Sequence, residues 1–230
     1  MAADEPREPT AVTDDGLRLS STSRTEAFSD GVLAIAITLL VLDLHADVSA
    51  QGSLLQTLLH QWESYLAYFT SFLTIGIIWL NHHAFFERLR ATDRALQWAN
   101  LALLLFVSFL PFPTAVLAAH VGDPGLNGRV AAALYGLAGT LMTLPWVFLW
   151  RHLARAPHLF RPPFDAAFAR REAPRAWIGV FAYLVCAGLG FVSPYLAAFL
   201  YLAIGVFYAL TSQGWSSLPG RRRRPAPDQA

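Results

Sequence analysis

Lysine is absent from this chain, cysteine occurs once and methionine twice. Charged residues make up 14% of the 230 positions, against about a quarter in an average soluble domain. A single cysteine excludes an internal disulfide framework and a cysteine-rich metal site. So few charges cannot cover the surface of a water-soluble globule of this size. With hydrophobic residues at 55%, most of the chain is not intrinsically disordered either, because disorder requires low hydrophobicity and high net charge. No Walker A, GxSxG, HExxH or GxGxxG motif stands in a suitable context, and no internal repeat is visible.

What is present is long apolar stretches. A bilayer-crossing helix needs about 20 residues, so the apolar content has room for about six. The first stretch runs from Ala27 to Leu44. Glu26 and Asp30 at its start argue against a cleaved signal peptide. The second is Trp62 to Phe86. The third, Leu96 to Ala119, contains Pro111-Phe112-Pro113, which predicts a kink or break. The fourth is Val130 to Trp150, with Pro145 inside it. The fifth, Trp177 to Val192, is short, and the sixth follows Ser193-Pro194 and ends near Thr211. Tryptophans 62, 98, 146, 150, 177 and 215 lie near predicted span ends, as an aromatic belt requires. The domain reading is a disordered tail over 1–21, a six-helix membrane domain over 22–215 and a basic tail over 216–230.

The arginines orient these spans. They precede span one, fill the loops between spans two and three and between four and five, and follow span six as Arg221 to Arg224. The remaining loops hold only Arg129. The positive-inside rule then predicts a multi-pass protein of the cell membrane with both termini cytoplasmic. The basic tail reads as an orientation and lipid-contact signal rather than a nucleic-acid site.

Span one carries most of the chemistry. Arg24, Phe28, Ser29 and Asp30 open a helix in which Gly31, Ile35, Leu39 and Leu42 share one face and Thr38 flanks it, at about 100° per residue. Asp30 points elsewhere. A carboxylate at the end of a span requires a protein partner, and Trp79, Asn81, His82 and His83 stand at the matching depth of span two. Indole, amide and imidazole groups can all donate to a carboxylate, which predicts a buried network of Arg24, Ser29 and Asp30 with these residues. His82 and His83 diverge around their helix, so no metal site is expected there. Thr38, Ile35, Leu39 and Leu42 taken alone describe an ordinary packing or lipid-facing helix, with the threonine hydroxyl bonded to its own backbone.

The pattern Arg24-x-x-x-Phe28-Ser29-Asp30, followed by an Ala/Ile/Thr/Leu-rich span, resembles the signature of the transmembrane protein 175 family of lysosomal and bacterial potassium channels. Trp79-Leu80-Asn81-His82-His83 and Phe109 to Thr114 are similar to its later blocks. The resemblance covers about residues 22 to 215. It implies an all-α membrane protein with six transmembrane helices per subunit, in which the first helix lines the central pore of a homotetramer, the bacterial-type arrangement of a single-repeat chain. The implied pore positions are Ile35, Thr38, Leu39 and Leu42, with Arg24, Phe28, Ser29, Asp30, Trp79, Asn81, His82 and His83 as a structural network. The implied activity is a potassium-permeable cation channel, not an enzyme. No cofactor or resident metal is expected, the permeant ions are K⁺ and other monovalent cations, and the only partners are further copies of the chain and the bilayer.

The mechanism that follows is a hydrophobic constriction. Apolar rings bar ions by dewetting when narrow and pass them when wider. The chain has no TVGYG filter sequence, so selectivity for potassium over sodium is expected to be modest. Asp43 and Asp47 stand where they would concentrate cations at the outer mouth. The alternative function is a proton-coupled secondary transporter that uses Asp30 and His82 or His83 as a relay. Such transporters tend to carry repeats with broken midplane helices.

Overall fold

The computed structural model describes residues 21–44 and 53–211. The predicted tails, except Ser21, lie outside the described residues, as do His45, Asp47 and Trp215. The described chain is all-helical, and six helical segments are long and apolar enough to cross a bilayer: Thr22–Asp43, Trp62–Glu87, Arg94–His120, Leu126–Leu153, Ala166–Gly190 and Pro194–Thr211.

The elements are α1 (Thr22–Leu39), α2 (Leu54–His60), α3 (Trp62–Glu87), α4 (Arg94–Phe109), α5 (Pro111–His120), α6 (Leu126–Leu153), α7 (Ala166–Gly190) and α8 (Pro194–Thr211). α1 tightens into a 3₁₀ turn over Leu40–Asp43. The short α2, with Ser53 capping Gln56 N–H, precedes α3.

The third span is two helices because of its prolines. Pro111 and Pro113 have no N–H, so the carbonyls of Val107 and Phe109 lose their i+4 donors. Leu110 N–H pairs with the Val107 carbonyl at 3.1 Å, which separates α4 from α5 within one span. Pro145 is accommodated inside an unbroken α6.

The fifth span differs from the sequence expectation. It is not short: α7 begins at Ala166, eleven residues before Trp177, because Asp165 caps it by accepting from Phe168 N–H at 2.9 Å. Its first turns carry Arg170, Arg171 and Arg175 and extend the helix at the arginine-rich end.

α6 and α7 pack most closely, and glycine is the reason. A Cβ on Gly136 would lie 2.6 Å from the Ala187 methyl, and Gly139 is filled by the Tyr183 ring. Small residues of this kind let transmembrane helices approach. Buried hydroxyls add a polar tie within the core: Ser71 Oγ is 2.7 Å from Thr114 Oγ1 and 2.9 Å from the Tyr135 hydroxyl, linking α3, α5 and α6.

A second apolar cluster closes the arginine-rich end. Phe85, Phe86, Leu89, Leu96, Trp150, Leu159 and Phe160 are buried together. The loop after α6 crosses the turn after α3, with Arg90 N–H donating to Leu159 and Arg161 N–H donating to Arg88. Asp93 both caps α4 and accepts from His152 Nε2 at 2.7 Å.

Candidate pore helix and its anchoring network

α1 has two unlike sides. Ser29, Leu33, Ala36 and Leu40, spaced four, three and four residues apart, are buried against α3, α4 and α5. Away from that stripe Phe28, Gly31, Ile35, Thr38, Leu39 and Leu42 are exposed on the protomer. Ile35 is 61% exposed, Leu42 63% and Leu39 41%, whereas Leu33 is 2% exposed. Helical periodicity alone separates the two sides. The 3₁₀ turn modifies the last step: residues three apart eclipse in that geometry, which aligns Leu42 with Leu39 along the helix.

Thr38 donates its hydroxyl to the Ile35 carbonyl at 2.9 Å. The proton is thereby committed to the helix, while the oxygen keeps a lone pair on the uncovered side.

The anchoring residues form two arms. In the first, Trp79 Nε1 donates to Asp30 Oδ1 at 3.0 Å. Trp79 stacks on His83 one turn later, with ring centroids 6.0 Å apart. His83 Nδ1 donates to Glu26 Oε1 at 3.0 Å, and its Nε2 lies 3.5 Å from Glu87. In the second arm, His82 Nε2 donates to Asn100 Oδ1 at 2.8 Å, Asn100 Nδ2 donates to Ser29 Oγ at 2.9 Å, and Ser29 donates to the Thr25 carbonyl at 2.8 Å. Ser29, His82 and Asn100 are all buried, so this arm ties α1, α3 and α4 together away from solvent.

The single buried network expected from sequence is therefore corrected in four respects. Ser29 and Asp30 are about 100° apart on α1, so one meets α4 and the other meets α3. The carboxylate arm is not buried, because the His83 side chain is 48% exposed. Arg24 stands six residues, or about 9 Å, before Asp30 along the axis, and it makes no hydrogen bond or ion pair among the described residues. Asn81 does not join either arm; it is half-buried and lines a cavity between α3, α6, α7 and α8.

Three participants were missed in the sequence: Asn100, Glu26 as the partner of His83, and Glu87. Glu87 was detectable, since it follows His83 by four residues. Asn100 carried a weaker signal, a polar residue inside an apolar span. Among the described residues no group of three or more His, Cys, Asp or Glu side chains is arranged to hold a metal ion.

A family model described as endosomal/lysosomal potassium channel TMEM175 matches residues 24–111. The chain is 41% identical over 209 residues to a protein named potassium channel B446_29190 of Streptomyces collinus, covering 90% of this chain and 98% of that one. It is likewise 41% identical over 199 residues to potassium channel Cha6605_3372 of Chamaesiphon minutus, covering 84% of this chain and 96% of that one. The crystal structure of a lysosomal potassium-selective channel TMEM175 homolog from Chamaesiphon minutus superposes with a TM-score of 0.74 at 37% identity, over 84% of this chain and 98% of that one.

Proposed function

The chain belongs to the TMEM175 channel family, and on that premise we propose that it conducts potassium and other monovalent cations through a pore lined by α1 from four copies. It is a membrane cation channel and not an enzyme. The observation that carries the pore assignment is the uncovered face of α1, on which Ile35, Leu39 and Leu42 stand opposite the stripe that packs into the protomer. One helix cannot enclose a pore, so identical copies must close a ring by rotation.

In this reading Ile35, Leu39 and Leu42 form successive apolar rings that gate by dewetting. Thr38 offers an oxygen lone pair to a partly dehydrated ion between them. Phe28 and Gly31 continue the face toward the arginine-rich end, which is the cytoplasmic end if the arginines follow the positive-inside rule. The two arms set the angle of α1: the buried Ser29–Asn100–His82 chain holds its middle against α3 and α4, and the Asp30–Trp79 bond holds the same level from a second side. Arg24 takes no part in that anchoring.

The transporter alternative has less support. Asp30 is engaged by the Trp79 indole, His82 by the Asn100 amide and His83 by Glu26, so neither imidazole is hydrogen-bonded to the Asp30 carboxylate.

The test is ion flux in vesicles. Purified protein reconstituted in potassium-loaded vesicles should dissipate a potassium gradient without any coupled solute. Flux that requires an imposed proton gradient would refute the channel reading in favour of the transporter.

A further inference from the structure

A cavity of about 410 Å³ lies between α3, α6, α7 and α8, in the arginine-rich half of the protomer. It extends from the level of Thr74, midway along α3, to Arg88 just beyond that helix, about 21 Å of helical rise. No residue of α1 lines it, so it is separate from the proposed pore.

Its deep walls are mainly apolar, with Ile77, Ile78, Met142 and Trp146 beside the smaller polar contributions of Thr74, Thr143 and Tyr183. Its side wall is formed by α7 and α8, whose lining residues Ile178 and Phe207 are 57% and 55% exposed, so the cleft opens onto the protomer's apolar exterior. Two glycines keep the cleft open. A Cβ on Gly179 would lie 3.0 Å from the Tyr208 hydroxyl, and one on Gly205 would make ordinary contact with Leu73 Cβ at 3.9 Å and Thr74 Oγ1 at 4.0 Å.

The charged groups gather at one end. The Arg88 guanidinium lies 5.4 Å from the ring centroids of both Phe164 and Phe168, which hold it in place. Glu172 is buried and accepts from Arg175 Nη1 at 2.8 Å. Arg175 itself is largely exposed at the mouth. The lining itself carries two guanidinium groups and one carboxylate at the arginine-rich end of the spans, and Glu87, outside the lining, also acts on Arg88.

A mainly apolar cleft with two guanidinium groups at its charged end and a side open to the apolar exterior matches an amphiphile with a negative head. We propose that this cleft binds one anionic phospholipid per protomer, with an acyl chain along Ile77, Ile78 and Trp146 and the phosphate at Arg175 and Arg88. Guanidinium groups pair with phosphate through directed hydrogen bonds, and a chain tail wets an apolar wall where water does not. The tail anchors the lipid in the cleft and the arginines select its charge.

Native mass spectrometry of the full-length channel in detergent tests this, after incubation with phosphatidylglycerol, phosphatidylcholine or oleate. Phosphatidylglycerol should be retained at one copy per protomer in preference to phosphatidylcholine. Gly205→Leu, which fills the cleft from α8, should abolish that retention while leaving the oligomer mass unchanged. Ala176→Leu does the same from α7 and serves if Gly205→Leu fails to fold. Arg175→Gln should keep a bound lipid but reduce the preference for phosphatidylglycerol by about fivefold. Equal retention of the two phospholipids, retention of oleate alone, or retention indifferent to both plugging variants would overturn the proposal.

Discussion

The indole N–H of Trp79 reaches the Asp30 carboxylate at 3.0 Å, joining the middle of α1 to the last turns of α3 across 49 residues of sequence. Trp79 is 43% exposed, so the bond forms at the margin of the protomer rather than inside its core. Its strength is that of a hydrogen bond to a charged acceptor tempered by that exposure. The network's stability rests more on the buried arm.

Removing the donor tests the first arm. Trp79→Phe keeps most of the ring and deletes the N–H. We expect a loss of about 1 kcal/mol, seen as a melting temperature lower by about 2–4 °C. Asp30→Ala should impair assembly of the oligomer, measured as the tetramer fraction in size-exclusion chromatography with light scattering. A well-assembled tetramer with altered ion selectivity would contradict the structural role of Asp30.

The second arm should be the stronger. Asn100→Ala leaves both Ser29 and His82 without their shared partner in a buried site, and each unsatisfied group costs about 1–3 kcal/mol. Ser29→Ala removes the bonds to Asn100 and to the Thr25 carbonyl but leaves His82 paired with Asn100, and should cost less. A double-mutant cycle between the two substitutions, read by thermal unfolding, should give a coupling of about 0.5–3 kcal/mol. Strict additivity would mean that the Asn100–Ser29 bond contributes nothing.

Ile35 and Leu40 separate pore from packing. Ile35→Asn, on the uncovered face, should change leak or selectivity in vesicle flux with little change in melting temperature. Leu40 is 1% exposed, so Leu40→Asn should lower stability and yield. The face assignment is wrong if Ile35→Asn leaves conduction untouched while folded Leu40→Asn protein alters selectivity.

Thr38 can be probed through a new thiol. The chain's one cysteine, Cys186, is buried, so it contributes little background labelling. A charged methanethiosulfonate reagent should block flux through Thr38→Cys and leave Ala36→Cys unaffected, because Ala36 is buried in the protomer. Equal block of both would place water on the packing side of α1.

Gly139 tests the α6–α7 contact. A methyl there collides with the Tyr183 ring, and overpacking of this kind costs about 1–3 kcal/mol. Gly139→Ala should therefore lower the melting temperature. Gly188→Ala, on α7 with open space around it, should not.

Much of the fold was legible in one dimension because a bilayer forces it. A spanning segment has to satisfy its backbone internally, so long apolar runs read directly as helices, and the break at Pro111 and Pro113 follows from missing N–H groups. The two sides of α1 were also legible, since 3.6 residues per turn is a local property. The length of α7 was less so, because its first turns are charged and lie beyond the apolar run that marked the span.

The chemistry of the motif divides in the same way. Sequence alone determined that Asp30 needed a partner and that Trp79 stood at the matching depth, because both statements depend on position along a helix. Only the tertiary structure decided that Ser29 belongs with Asn100 and His82, that His83 belongs with Glu26, and that Arg24 belongs with neither. Those pairings depend on how α1, α3 and α4 are rotated against one another. Neighbouring residues on a helix diverge by about 100°, so a compact motif in sequence is shared among several neighbours once the helices pack.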